Sequence, residues 1–187
     1  MLFRSLVGVA ALFIVLVLAS ISNMSNYYIK PGNGNMEIWQ GKFGPLGEKV
    51  LISLPGVEAP EQIKSVYSKQ EVFPFVFNYY IDKSDSLTNV PGIPDFAKIK
   101  SHLITALEYS TTGELKEAAH KRLKIIDLML LKYKADVAET RGTIDDLDDA
   151  IQYLEDAKLL NIDDQTLSGL IEGKLKSIKK LKARLEI

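Results

Sequence analysis

Tyr79–Ser110, YYIDKSDSLTNVPGIPDFAKIKSHLITALEYS, lies over Leu130–Asn161, LLKYKADVAETRGTIDDLDDAIQYLEDAKLLN, when the chain is shifted against itself by 51 residues. The overlay sets Lys83 and Asp85 on Lys134 and Asp136, Ile93 and Asp95 on Ile144 and Asp146, and Leu103 and Ala106 on Leu154 and Ala157. Phe96 meets Leu147, which keeps the position apolar. With one further residue inserted, Leu115, Leu123 and Ile126 fall on Leu167, Leu175 and Ile178. Self-similarity at a fixed offset is the mark of a unit used twice.

Inside each unit a stripe of helical spacing runs through Phe96, Ile99, Leu103, Ala106 and Tyr109, or Leu147, Ala150, Leu154, Ala157 and Leu160. The alanines stand where a neighbouring helix would come close. The segment DLDDAIQYLEDAKLLNID, from Asp146, resembles the second helix of a tetratricopeptide repeat, with Ala150 and Ala157 at the small-residue positions and Leu154 between them. The preceding LLKYKADVAETRG is similar to the first helix, although Lys134 and Asp136 flank Ala135 where the repeat family usually has glycine. The resemblance covers Glu71 to Ile178 and departs from the family in two ways. Its period is 51 residues against the family's ~34, and Asn161-Ile162-Asp163 replaces the closing proline. It implies a tetratricopeptide-like right-handed stack of long helical hairpins; the alternative is an unrelated helical bundle, since apolar stripes recur in any packed helices.

The remaining helix signals fit such a stack. Ser68 and Glu71 form a capping box ahead of a helix with Val72, Phe75, Val76, Tyr79 and Tyr80 on one face, Pro74 lying early in it. Further helices are expected over Asp95–Tyr109, Glu114–Thr140, Asp146–Leu160 and Asp164–Leu185. Pro94 precedes the first of these, and Thr111 with Glu114 and Thr143 with Asp146 make further boxes. Gly142 can close the long helix and Asp163 can cap the last. Ala119, Leu123, Ile126, Leu130, Tyr133 and Val137 give the long helix an apolar stripe widened by its neighbours, as for a helix packed on more than one side.

The 187 residues are 47% apolar and 25% charged with a formal net charge of −1, an ordinary globular composition. There is no cysteine, hence no disulfide, thiolate metal site or cysteine nucleophile, and two histidines offer little for a His-based metal site or triad. Near-neutral charge argues against nucleic acid as a partner of the body. No cofactor or small-molecule substrate is expected either. Gly32-Asn33-Gly34 lacks the lysine and helix of a phosphate loop. Asp145, Asp146, Asp148 and Asp149 lack the spacing of a calcium loop and read as a helix start. His102 and His120 fall on different helices with no second ligand at a metal spacing. The chain reads as a protein without catalytic chemistry.

Much of the apolar content is at the amino end. Leu6–Ile21, LVGVAALFIVLVLASI, is unbroken by charge, with Arg4 before it and Ser22, Asn23, Ser25 and Asn26 after. At 1.5 Å per residue, Leu2 to Met24 would cross a hydrocarbon core of ~30 Å. The stretch reads as a retained signal anchor. Val17-Leu18-Ala19 and Ser20-Ile21-Ser22 also offer the small-residue spacing of a cleavage site; Tyr27 and Tyr28, just past the run, suit a membrane–water interface or, on β-propensity alone, the first β-strand. Arg4 before the span and no base until Lys30 after it favour the amino end inside, so that the body lies outside the cytoplasmic membrane, in the periplasm of a two-membrane bacterium. Arg4, Tyr27 and Tyr28 are the expected membrane-interface residues. Asn23-Met24-Ser25 matches a glycosylation sequon by coincidence.

Between anchor and helices, YYIK, MEIWQGKF and KVLISL are separated by Pro31-Gly32-Asn33-Gly34-Asn35 and Gly44-Pro45-Leu46-Gly47, the signature of a three-stranded meander. The central strand has Met36, Ile38 and Gln40 on one face and Glu37, Trp39 and Gly41 on the other. Trp39, the sole tryptophan, is either an anchor buried beneath this sheet or an exposed contact for a partner. Ala59-Pro60-Glu61 reads as a turn into a short helical stretch. The organisation expected is therefore mostly α: a signal anchor or transmembrane helix over 1–25, a small β-element over 26–57, and a tetratricopeptide-like repeat domain over 58–187.

These features point to a membrane-anchored adaptor or scaffold of a bacterial envelope complex that binds another protein, a membrane-complex subunit. The polar residues of the first helices, Asn78, Asp82, Asp85, Lys132 and Asp136, would line its concave face, because repeat proteins bind through that surface. Two other readings stand beside it. One is a structural accessory subunit held by its transmembrane helix. The other is a lipid- or nucleic-acid-binding protein acting through the basic last helix with Lys174, Lys176, Lys179, Lys180, Lys182 and Arg184.

Overall fold

The computed structural model describes residues 2–162 and 164–186, with side chains from Val7 onward. In chain order it contains α1 (Leu2–Met24), β1 (Tyr27–Gly32), β2 (Asn35–Gly41), β3 (Glu48–Pro55), α2 (Lys69–Thr88), α3 (Phe96–Glu108), α4 (Gly113–Arg141), α5 (Ile144–Leu159) and α6 (Gln165–Leu185). The chain is thus mostly helical, with an apolar amino-terminal helix and a small antiparallel sheet. It divides into two compact units, Met1–Asp82 with Thr105–Leu115, and Lys83–Ile104 with Lys116–Ile187.

In the first unit the sheet runs β1-β2-β3 and both pairings are antiparallel. Alternation puts Tyr27, Ile29, Met36, Ile38 and Leu54 on one face, where they bury against Val72, Phe73 and Val76 of α2. A three-stranded sheet this small needs such a cover to be stable. The expected meander is therefore present, with a register shift between Ile38 and Trp39. Residues 57–67 are irregular where a short helix is expected. Their backbone groups find other partners: Tyr67 exchanges both main-chain hydrogen bonds with Tyr27, and the Lys64 N–H donates to the Tyr67 hydroxyl. Those bonds tie the end of the segment to β1 in place of a helical ladder.

Helix α2 starts at its expected box. Glu71 accepts from the Ser68 N–H at 2.8 Å and from the Ser68 hydroxyl at 2.9 Å. Lys64 donates to it at 2.6 Å, and with these bonds the Glu71 carboxyl is pulled down to about 2. Pro74 is accommodated inside the helix. The buried side is Val72, Phe73, Val76, Phe77 and Ile81, whereas Phe75, Tyr79 and Tyr80 are half-buried. A helix apolar nearly all round lets neighbours choose the face, and Phe73 lies edge-on to both Tyr27 and Tyr109.

Helix α1 leaves its apolar side chains outward, with Phe13 67% and Leu12 63% exposed. Its last turn is different. Asn23 is buried, and its side-chain amide donates to the carbonyls of Lys42 at 3.0 Å, Gly44 at 3.2 Å and Gly47 at 2.9 Å. Gln40 donates to the Met24 carbonyl, and the Gly41 N–H to that of Asn26. A Cβ at position 41 would stand 2.0 Å from the Asn23 carbonyl oxygen, so only glycine fits this approach.

The second unit buries Ile99, Leu103, Ala119, Ile126, Leu128, Ala135, Ala138, Leu147, Ala150, Leu154, Ala157, Ile171, Leu175 and Ile178. Burial follows the sequence offset: Ser84 and Ala135, Ile99 and Ala150, Leu103 and Leu154, Ala119 and Ile171, and Ile126 and Ile178 are buried pairwise. Within α4 the apolar stripe turns. Ala119 and Ile126 serve its first half, and Leu128, Ala135 and Ala138 its second, so Val137 of the expected stripe is left 37% exposed.

Helix ends follow side-chain capping. Asp95 accepts from the Lys98 N–H, and Thr143 from the Asp146 N–H. The cap of α4 is Thr112, which accepts from the Leu115 N–H, one residue beyond the expected Thr111 box. Asp164 caps α6 through the Thr166 and Leu167 N–H groups, while the expected Asp163 lies outside the described residues. Gly142 closes α4 at a φ of +74°, a conformation that favours glycine.

The joint at Asn23 sets a prediction for stability. Asn23→Ala, which takes the amide donor from the Lys42 and Gly44 carbonyls and leaves that of Gly47 with only the Lys42 N–H, lowers stability by roughly 1–3 kcal/mol. Gly41→Ala, which forces the backbones apart, lowers it by at least as much. Thermal melts of the full-length chain in detergent, with proteolysis of the 42–47 loop, measure both; an unchanged melt for either variant refutes the joint.

Candidate functional site

The polar residues expected on the first helices do not share one fate. Asn78 and Asp82 are exposed on α2 in the first unit. Asp85, Lys132 and Asp136 belong to the second unit, where ion pairs engage all three. Arg122 reaches Asp85 through two parallel contacts, Nε to Oδ1 and Nη2 to Oδ2, both 3.3 Å. Asp136 lies between two lysines, with Lys132 Nζ 2.9 Å from Oδ2 and Lys174 Nζ 2.7 Å from Oδ1. Lys174 also donates to Glu139 at 2.6 Å.

These pairs obey the internal offset. Asp85 and Asp136 are 51 apart and Arg122 and Lys174 are 52 apart, the two shifts that align the apolar positions. An acid on one helix and a base on the second helix along thus recur as Asp85–Arg122 and Asp136–Lys174. Sequence reading aligned the two aspartates and overlooked their bases. The 52-residue shift, already needed for Leu123 and Leu175, carried that signal.

Electrostatics reinforce the second pair. Burial pushes the Asp136 carboxyl up, but the hydrogen bonds and charges of Lys174 and Lys132 outweigh this and hold it below the usual carboxylate range. For Lys174, burial pushes the ammonium down, and the bonds to Asp136 and Glu139 hold it above its ordinary value.

The charged clusters are engaged similarly. Asp146 accepts the Thr143 hydroxyl at the start of α5, and Asp148 takes Lys182 at 2.6 Å. Lys179 donates to Glu155 at 2.9 Å. The basic face of α6 therefore has Lys174, Lys179 and Lys182 turned to carboxylates, with Lys176, Lys180 and Arg184 exposed. Among the described residues no group of three His, Cys, Asp or Glu could hold a metal ion. His102 is half-buried, its pKa lowered by burial and then by Lys98 and Lys83. His120 is exposed beside Lys121 and Lys124. A cleft of about 460 Å³ at the far end of the sheet, between Pro31, Asn35, Val57 and Ile63, has Glu58 as its one ionisable lining residue.

At the membrane-facing candidates, Tyr27 is 6% exposed and part of the sheet's core, so its ring is turned away from solvent. Tyr28 is half-buried on the opposite face. The side chain of Arg4 lies outside the described residues. Trp39 is half-buried on the outer face of the sheet: Lys30 Nζ stands 4.1 Å from the ring centroid, the indole N–H donates to Glu37 at 3.0 Å, and Lys30 also pairs with Glu48. It is neither of the two extremes that the sequence allows.

The chain matches no protein-family model, no curated protein and no solved structure.

The Asp136 cluster generates a pH prediction. A carboxyl held below its unfolded value of about 3.9 stabilises the fold above that pH and loses the contribution as pH falls through the folded value. A lysine held above about 10.4 contributes below that pH and loses the contribution as pH rises through its folded value. Asp136→Asn should therefore be less stable than the parent at neutral pH, with the gap closing in acid. Lys174→Met should show its gap closing in strong alkali. Denaturant melts across pH measure both; a gap independent of pH refutes the pairing.

Proposed function

We propose that this chain is a membrane-anchored, non-catalytic adaptor of a bacterial envelope, its helical-repeat body lying in the periplasm and binding a subunit of a larger membrane complex. The observation that carries the reading is α1: its apolar side chains stand exposed along a length that can cross a bilayer, while its last turn is built into a folded body. Cleavage after Ala19 or Ser22 would leave Asn23 in the chain but take away the helix that positions its amide, which supports a retained anchor over a cleaved signal. The orientation rests on Arg4 and Lys30.

Recurrence of burial and of the acid–base pair at the internal offset supports the tetratricopeptide-like reading of the body. The partner-binding residues are narrowed to Asn78 and Asp82, the two of the five that stand exposed, whereas Asp85, Lys132 and Asp136 are half-buried. The rival reading, a structural accessory subunit, draws on the Asn23 joint, because a fixed connection serves a subunit that is positioned by its anchor.

Pull-down of tagged full-length protein from gently solubilised native membranes, with the intact mass of the recovered chain, tests the proposal. An uncut chain with a stoichiometric partner supports it; a chain beginning at Ser20 or Asn23, recovered alone, overturns it. Asn78→Ala with Asp82→Ala should weaken capture about tenfold, or ~1.4 kcal/mol, with an unchanged melting temperature. Replacing α1 up to Ala19 by an unrelated span should preserve capture for the adaptor and abolish function for the anchored subunit.

A further inference from the structure

The loop between β2 and β3, Lys42–Gly47, carries two of the most exposed large apolar side chains outside α1: Phe43 at 68% and Leu46 at 86%. A folded body gains nothing from leaving both in water, and two together beside an apolar helix form part of a larger patch. The position of the loop is fixed. Asn23, one residue from the end of α1, donates to the carbonyls of Lys42, Gly44 and Gly47, so the loop backbone is held against the last turn of the apolar helix.

A helix that crosses a bilayer ends its apolar run at the interfacial layer, so a loop hydrogen-bonded to that last turn lies at the same depth. On either side of Asn23 along α1, Ile21 and Met24 are 52% and 41% exposed, which continues the apolar surface of the helix to its last turn. The neighbouring sheet has interfacial chemistry too. Tyr28 pairs with Trp39 and Trp39 with Val50 in one cross-strand row, only two residues, about 7 Å, from the end of β2. Tyrosine and tryptophan favour this layer, with an apolar ring body and a wet polar tip. Lys42 supplies a long stem whose ammonium can reach phosphates.

We infer that the Lys42–Gly47 loop is a second membrane contact, Phe43 and Leu46 entering the interfacial layer of the same phospholipid bilayer that α1 crosses. The inference rests on the membrane-anchored reading of α1. The helix supplies attachment; the loop restrains the tilt of the sheet on the surface, because two contacts held together by Asn23 resist rotation better than one.

The absence of cysteine makes a single-site test direct. Nitroxide labels are placed on full-length Leu46→Cys, on Phe13→Cys in α1 and on Val90→Cys, an exposed position far along the chain from the loop. Each is reconstituted in phosphatidylcholine vesicles with a minor fraction of phosphatidylglycerol. Power-saturation spectroscopy then compares collision with oxygen, which concentrates in lipid, against collision with a water-soluble nickel chelate.

The label at position 46 is expected to favour oxygen strongly relative to the label at 90, by a margin approaching that of the label at 13. A water-like ratio at 46 with a lipid-like ratio at 13 overturns the loop contact and leaves the anchor intact. A water-like ratio at both overturns the anchor reading first. Shielding of the label at 46 from both relaxants, lost on dilution of protein into excess lipid, identifies a second copy as the occupant and overturns the lipid assignment. Because Leu46 is 86% exposed, the substitution leaves the core untouched, and Phe43→Cys repeats the measurement independently.

Discussion

The side-chain amide of Asn23 holds the first unit in register with its apolar helix. One buried amide faces three inward carbonyls of a single loop, and Gly41 approaches the Asn23 backbone more closely than any side chain would allow. Each element depends on the others. Without the loop's carbonyls the amide would be a buried polar group lacking acceptors, and without Asn23 the Lys42 and Gly44 carbonyls would lose this donor, Gly47 keeping the Lys42 N–H. The consequence is mechanical: α1 enters the sheet through a fixed joint where a flexible linker would need only polar residues. It also makes the sequon at Asn23 meaningless as an acceptor, since its amide is already committed.

The helical part is governed by a different constraint, the reuse of one pattern. Small or branched apolar residues recur at equivalent depths, and so does an ion pair between a carboxylate and the base two helices on. Half-exposed pairs of this kind contribute little stability by themselves. Their recurrence is informative because it fixes the angular setting of each helix: an aspartate turned towards its base carries the apolar stripe of the same helix inward. Replacing arginine by lysine in the second copy changes the geometry from a two-point contact to a point charge shared with Glu139 and Lys132's carboxylate partner.

Elements with strong local signals were legible in the sequence. The apolar run, the glycine and proline turns of the meander, the Ser68–Glu71 and Thr143–Asp146 caps and the glycine stop at 142 all depend on nearest neighbours, and all appear. What failed to be legible depends on distant contacts. The segment after Pro60 pairs with Tyr27 some forty residues away, so its composition alone suggested a helix. Tyr27 looked like an interfacial ring because it follows the apolar run, yet strand alternation turns it into the core. In α2 aromatic residues surround the helix, and only tertiary packing decides that Phe73 and Phe77 are buried and Phe75 is not. Of the candidate surface, the aspartates were visible through the repeat, but their neutralisation by Arg122 and Lys174 required both offsets to be applied at once.

That neutralisation bears on what the body can recognise. Net charge is −1, and the most concentrated basic segment, α6, turns Lys174, Lys179 and Lys182 onto Glu139, Glu155 and Asp148. A surface for nucleic acid or anionic lipid needs unpaired bases in register with phosphates, and here three of the six bases are arranged to hold helices together. At the start of α5, Asp148 is spent on the same contacts and Asp146 on capping. The charge left on α6 is therefore reduced to Lys176, Lys180 and Arg184, which stand exposed, while Asn78 on α2 offers an exposed neutral polar group. On the membrane-anchored adaptor reading, a partner would be read at close range by shape and hydrogen-bond geometry, with little electrostatic steering.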